Sequence, residues 1–170
     1  DAVPNRGYCL SEDTDILSAQ GIQKYLNEAC SSIQLNVLPE VTSTNSWLRE
    51  KANGGAREGC TVISGRQTAG RGRLGRSFYS PENTGIYMSI LLRPEGITPD
   101  RAVKITAMAA AAACEAVREV SGRPAGIKWV NDIFIDGKKV CGILTEASLG
   151  MENNSLEYAV LGIGINAYAP

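Results

Sequence analysis

Residues 65–76 read Gly-Arg-Gln-Thr-Ala-Gly-Arg-Gly-Arg-Leu-Gly-Arg, with four arginines, four glycines and no acid. Glycine lets the backbone come close to a ligand and turn its N–H groups outward. Arginine presents a planar, permanently charged fork that matches carboxylate and phosphate. Together they suit an anion of several charges, such as a nucleotide triphosphate. The segment is not a Walker loop, because GxxxxGK[ST] is missing, and no GxGxxG opens a helix here as a dinucleotide-binding turn would. Taken alone it reads about as well as a solvated basic loop or a patch for RNA.

Other segments carry weaker signals. Lys128-Trp129-Val130-Asn131-Asp132 gathers a lysine, an amide and a carboxylate. These groups serve phosphate, a base edge and a metal ion, or more plainly a tight turn. Lys138 and Lys139 follow Asp136-Gly137, where lysines are ordinarily just solvated. Gly162-Ile163-Gly164-Ile165-Asn166 sets glycines inside an apolar run, where they cost stability. A bulge, a closely approaching ligand and packing against a helix all account for them. Ser43-Thr44-Asn45 is first of all a helix cap, and can also point hydroxyls and an amide at a polar ligand. Trp47, Phe78, Tyr79, Tyr87 and Trp129 are expected in the core rather than as ligand walls.

Composition narrows the chemistry. Histidine is absent from the 170 residues, which excludes a Ser-His-Asp triad, a Cys-His dyad and a histidine metal site within the chain. The five cysteines (Cys9, Cys30, Cys60, Cys114, Cys141) are widely spaced with no CxxC, so reduced thiols in a cytoplasmic protein are expected, core or incidental. Charge is nearly balanced, 17 basic against 18 acidic residues, so any anion binding must be local. The apolar run at 105–114 is too short to span a bilayer.

These groups need elements to position them. Ser18 caps a helix expected through about Ala29, with Ile22, Tyr25, Leu26 and Ala29 on one side. Ile33 to Leu38 alternates as a strand does. A second helix follows the Ser43 cap and stops at Gly54-Gly55. Strands are expected at 60–64 and 85–92. Thr98-Pro99-Asp100 opens a long alanine-rich helix, ending near Gly122, that suits close packing on a sheet. Strands at 127–129 and 133–135, the Asp136-Gly137 hairpin, its return at 140–147, a polar turn at 150–155 and a buried strand at 156–165 complete the chain. Successive hairpins with few helices point to α+β: a mainly antiparallel or mixed sheet with helices packed on it.

TSTN, QTAGRGRLGR, KWVND, GKKVCGILTE and GIGIN stand in the order and spacing of biotin protein ligase (biotin–[acetyl-CoA-carboxylase] ligase), a family that this chain resembles over roughly residues 33–168. The resemblance implies the catalytic fold shared by biotin and lipoyl ligases and class II aminoacyl-tRNA synthetases. It implies ATP-dependent activation of biotin to biotinyl-5′-AMP, with Mg²⁺, and transfer to a lysine of a biotin carboxyl carrier protein domain. By resemblance Ser43, Thr44, Asn45, Gln67, Gly70, Arg71, Gly72, Arg73, Lys139, Gly142 and Gly162 bind biotin. Arg73, Arg76, Lys128, Asn131 and Asn166 hold ATP, Lys139, Arg71 and Arg73 are catalytic, and Asp132 helps with magnesium.

The opening VPNRGYCL resembles the last wing strand of the DNA-binding domain of ligase-repressors. Residues 1–12 are thus expected to be a wing or linker remnant and 13–170 the catalytic domain. DNA would be reached only through an N-terminal domain outside this chain, with biotin-responsive repression belonging to the full-length protein. The family's small C-terminal β-domain is expected to be missing after Pro170. The family often dimerises through sheet edges, so a homodimer is among the implied partners. Val130 stands where the family often has proline, and Leu74 where arginine is common. The alternative is a lipoate or octanoate ligase or transferase of the same fold; an arginine-loop nucleic-acid module is the weakest reading.

Overall fold

The computed structural model describes residues 2–4, 7–8, 16–30, 33–150 and 155–168. The chain falls into two compact units, Asp1–Ser31 and Ser32–Pro170. In the first, β1 (Ala2–Val3) pairs antiparallel with β2 (Gly7–Tyr8), and α1 spans Ala19–Gln23. Ser18 caps α1 as expected, accepting from the Gly21 amide. The helix does not run to Ala29: the amides of Tyr25 and Leu26 turn back to the carbonyls of Ile22 and Gln23, and Glu28–Cys30 forms a separate 3-10 turn. No residue of α1 is buried, so no apolar face rewards a longer helix. Cys9, the stretch 9–15 and the core of the expected polar turn, 151–154, lie outside the described residues.

The second unit holds β3 (Gln34–Leu38), α2 (Thr44–Asn53), β4 (Cys60–Ser64), β5 (Gly85–Leu92), α3 (Ala102–Ser121), β6 (Gly126–Lys128), β7 (Asp132–Ile135), β8 (Lys138–Leu149) and β9 (Leu156–Asn166). Short 3-10 turns lie at Arg73–Gly75 and Pro99–Arg101. The strands form one sheet in the order β3-β4-β5-β9-β8-β7-β6. Only β3 and β4 run parallel, as the α2 crossover between them requires; the other pairs are antiparallel. This is the α+β, mixed-sheet class expected from the sequence.

Helix boundaries follow their caps. Ser43 caps α2, accepting from the Ser46 amide, and Gly54 closes it. α3 ends at Gly122 in the left-handed conformation, φ 66°. Its start differs from expectation. Thr98 makes no capping bond, the chain enters through the 3-10 turn, and α3 proper begins at Ala102. The Thr98 side chain instead hydrogen-bonds the Asp100 carboxylate, which holds that pKa below its ordinary value.

Strand alternation divides the core between the two faces of the sheet. Leu48 and Ala52 of α2 pack on Val62, Leu91, Tyr158 and Val160. Ala109, Ala110, Ala113 and Cys114 of α3 pack on Ile133, Cys141, Ile143 and Leu161. Val160 and Leu161 are neighbours in β9, so the helices cover opposite faces. Methyl-sized side chains let α3 approach the sheet closely. The Asp136-Gly137 turn has φ of 49° and 75°, the type I′ geometry expected of this dipeptide.

Cys141 is fully buried beneath α3, and burial pushes its thiol up to about 12. Its folded pKa lies above the ordinary thiol value of 9.0, so its share of stability is intact below pH 9 and is lost as pH rises towards 12. Cys141 is expected to resist iodoacetamide at pH 8 in the native protein and to react on unfolding; mass-spectrometric mapping checks this, and native-state labelling at Cys141 would contradict it.

Candidate functional site

The site lies on the α2 face of the sheet. Gly142 of β8 stands directly opposite Gly164 of β9, and Leu144 opposite Gly162. The glycines open a notch in this face, and side chains from three other segments fill its rim. A Cβ at Gly162 would lie 2.2 Å from Asn45 Oδ1, and one at Gly164 2.5 Å from the Phe78 ring. The strands must therefore be bare here for Asn45 and Phe78 to sit where they do. Ser43, Thr44, Asn45, Gln67, Arg71, Gly72, Arg73, Asn131, Lys139, Gly142 and Gly162 line one cavity, open on one side.

One end of the cavity is uncharged and buried. Ser43, Thr44 and Asn45, at the start of α2, are 2%, 4% and 4% exposed. Gln67 is brought alongside by a short parallel bridge between Val41 and Gln67. Its Oε1 accepts from the Thr44 amide at 2.8 Å and from the Thr44 hydroxyl at 3.1 Å, and its Nε2 donates to Ser80 Oγ at 2.8 Å. Asn45 Nδ2 donates to the Leu144 carbonyl at 3.3 Å and to Glu146 at 2.9 Å, while Ser89 donates to Asn45 Oδ1 at 2.6 Å. Within these bonds, Gln67 keeps one N–H, Asn45 one lone pair and Ser43 its hydroxyl proton for a ligand.

The other end is cationic. Arg71 Nη2 lies 2.9 Å from Glu146, Arg73 Nη1 donates to Asn131 Oδ1 at 2.9 Å, and Lys139 Nζ lies 2.7 Å from Asp132. The arginine loop is folded back on itself. Arg71 bridges Ser77, the Gly72 amide donates to the Arg76 carbonyl at 2.7 Å, and Leu74 and Gly75 turn the tip with φ of 56° and 72°.

Lys139 reaches this face through a bulge. Cys141 pairs with Ile133, but Lys139 pairs with Phe134, leaving Val140 as an extra residue in β8. Val140 and Cys141 both pack towards α3, so Lys139 faces the cavity with Gly142. Unbulged alternation would have placed Lys139 on the same face as Cys141.

Several expected site residues lie elsewhere. Gly70 is at the neck of the loop, where a Cβ would meet the Phe78 carbonyl at 2.3 Å. Asp132 stands behind Lys139, accepting also from Asn131 Nδ2 at 2.9 Å. Asn166 lines an adjoining cavity that shares Phe78 and Lys139 with the first. Arg76 closes the loop through its backbone, and exposed Lys128 lies 5.4 Å over the Phe134 ring.

The aromatics need correction. Tyr87 is buried and Trp47 packs on the α2 core, but Tyr79 and Trp129 are 71% and 78% exposed. Trp129 falls at the turn beyond the edge strand β6, where no element covers it among the described residues. Phe78 lines the cavity, held edge-on to Tyr87 with ring centroids 6.4 Å apart. Sequence reasoning also missed Met88 and Glu146. The cross-strand glycines opposite an aromatic loop residue were the available signal for Phe78; nothing local marked Glu146.

The family model for the biotin/lipoate A/B protein ligases matches residues 37–166. The chain is 38% identical over 166 residues, 98% of its length and 50% of the relative's, to the bifunctional ligase/repressor BirA of Bacillus subtilis. It is 32% identical over 137 residues, 78% of this chain and 49% of the relative, to the biotin--[acetyl-CoA-carboxylase] ligase of Mycobacterium tuberculosis. Among solved structures it is similar to the Leishmania major biotin protein ligase in complex with biotinyl-5-AMP: TM-score 0.66, 30% identity, 81% of this chain and 59% of that one. The Aquifex aeolicus biotin protein ligase in complex with biotin and ATP gives a TM-score of 0.62 at 35% identity, over 78% of this chain and 52% of that one. The chain spans about half the length of the curated relatives it matches. With the matched region running from β3 to the end of β9 and so enclosing the whole glycine-walled cavity, the chain belongs to the biotin/lipoate A/B protein ligase family.

Proposed function

We propose that the site activates biotin with ATP to biotinyl-5′-AMP and passes the biotinyl group to a lysine of a biotin carrier domain. The observation that carries this is the division of one cavity into a buried end with spare neutral donors and acceptors and an open end with three cations. Biotin has that shape: an uncharged ureido head and a carboxylate at the far end of an apolar chain. Gln67 and Ser43 donate towards the ureido oxygen, and Asn45 Oδ1 accepts from a ureido N–H. The glycine wall and Phe78 flank the rings and chain. Arg71, Arg73 and Lys139 meet the carboxylate and phosphates.

No general base is needed for the first step, which fits a chain without histidine. The biotin carboxylate is already ionised at neutral pH. Its oxygen bonds to the α-phosphorus while the bond to pyrophosphate breaks and the electron pair leaves with pyrophosphate. Positioning and neutralisation of charge supply the catalysis. In the second step the acceptor amine attacks the acyl carbonyl, loses its proton, and AMP departs.

ATP is assigned to Arg73, Asn131, Arg76, Lys128 and Asn166. Lys139 lines both the cavity holding Arg73 and Asn131 and the one holding Asn166, which suits a lysine at the junction of acyl group and nucleotide. Among the described residues no cluster of three carboxylate or thiol side chains can hold a metal ion by itself. The Asp132 Oδ1 expected to help with magnesium is bonded to Lys139 and Asn131 and lines no part of the cavity, so the residues present do not fit a magnesium ion held by the protein. No described helix is long and apolar enough to cross a membrane. Repression of transcription is carried by no feature of the cavity, only by the similarity to bifunctional ligase/repressors.

Isothermal titration tests the reading. Biotin is expected to bind, and a non-hydrolysable biotinyl-AMP analogue to bind more tightly. Binding of neither would overturn it, and binding of lipoate but not biotin would replace it with the lipoyl reading.

A further inference from the structure

Glu146 lines no part of the cavity, yet its carboxylate touches two residues that do. It lies in β8 opposite Val160, with its side chain 23% exposed. Oε1 accepts from Arg71 Nη2 at 2.9 Å and lies 3.9 Å from Arg49 Nη1, while Oε2 accepts from Asn45 Nδ2 at 2.9 Å. Arg71 belongs to the arginine loop and Asn45 to the first turn of α2. Asn45 is fixed on its other side by Ser89, and it backs onto the bare Gly162.

We propose that Glu146 is a positioning residue whose carboxylate ties the arginine loop to α2 and so sets the shape of the biotin cavity. This rests on the function proposed above. The chemistry demands a carboxylate. Both partners are donors, so the bridging side chain must accept at each end. Glutamine accepts at one end and turns an amide N–H₂ against a donor at the other. Aspartate is one methylene too short to span the gap. Asn45 is 4% exposed, so an amide proton left without its acceptor has no water to turn to.

The experiment combines hydrogen exchange on the ligand-free protein with biotin titration of the wild type, E146Q, R71A and the double variant. E146Q is expected to speed exchange of amides at 66–77 and in the first turn of α2 about tenfold, with α3 and β9 unchanged. It should weaken biotin about tenfold, but only about threefold in the R71A background, because one arm of the bridge is already gone. Equal costs in both backgrounds, an unaltered loop, or a uniform rise in exchange across the sheet would each overturn the proposal. A wild-type protein that binds no biotin would overturn the functional reading instead, and the exchange data alone would then decide whether Glu146 ties loop to helix.

Discussion

Lys139→Ala is expected to slow adenylate formation by about 10² to 10³-fold, the usual cost of losing one preorganised donor to a developing charge. The lysine is placed for this by the bulge at Val140 and held by Asp132 at 2.7 Å. Fold and stability should survive, because the lysine side chain is 39% exposed and Asp132 keeps Asn131 as a donor. A change in stability within about 0.5 kcal/mol is expected, as for most partly exposed substitutions. Biotin affinity should fall far less than the rate, since the ureido end of the cavity is untouched. Pyrophosphate release under single-turnover conditions, run beside thermal melts, separates the two. Normal release in the variant would remove Lys139 from the reaction. A large drop in melting temperature would make it structural.

Lysine at this position also shows where sequence reading stops. Strand existence, the caps at Ser43 and Gly122 and the Asp136-Gly137 hairpin are local matters, and local residue types announce them. The facing of Lys139 is not local. It depends on one extra residue in β8, and register is decided by pairing with a strand elsewhere in the chain. From residue types, Lys138 and Lys139 looked like solvated neighbours after a turn; only the family resemblance separated them. Glu146 was hidden for a similar reason, since its partners Asn45 and Arg71 lie 101 and 75 positions away in the chain. Phe78 and Trp129 were both expected in the core, yet Phe78 lines the cavity and Trp129 is exposed, because burial of an aromatic depends on what covers it. The glycines of GIGIN, by contrast, carried a legible warning. A residue that costs stability inside a strand must be relieving something, and here it relieves Asn45 and Phe78.

Gly162→Ala turns that relief into a measurable clash. Gly162 lies in extended β9 and no left-handed φ demands glycine there, so an alanine backbone fits without strain. The obstacle is the new methyl, 2.2 Å from Asn45 Oδ1 and 2.9 Å from its Cγ. Asn45 is pinned by bonds to Ser89, Leu144 and Glu146 and cannot swing aside without breaking them. Overpacking costs about 1–3 kcal/mol and the broken buried bonds a comparable amount, so the melting temperature should fall by roughly 5–15 °C. Biotin binding should weaken by about a hundredfold, two steps of 1.4 kcal/mol, because Asn45 leaves the wall of the cavity and the loop loses its tie through Glu146. Gly126→Ala is the control: a Cβ there meets nothing within 4 Å, and stability should hold or rise slightly. The decisive comparison is Asn45→Ala with and without Gly162→Ala. If the methyl acts through Asn45, the glycine substitution should cost little once the amide is gone, a coupling between contacting residues of opposite sign to their separate effects. An equal loss in both backgrounds would mean that the methyl strains β9 itself, and that the bare strand serves the sheet rather than the ligand cavity.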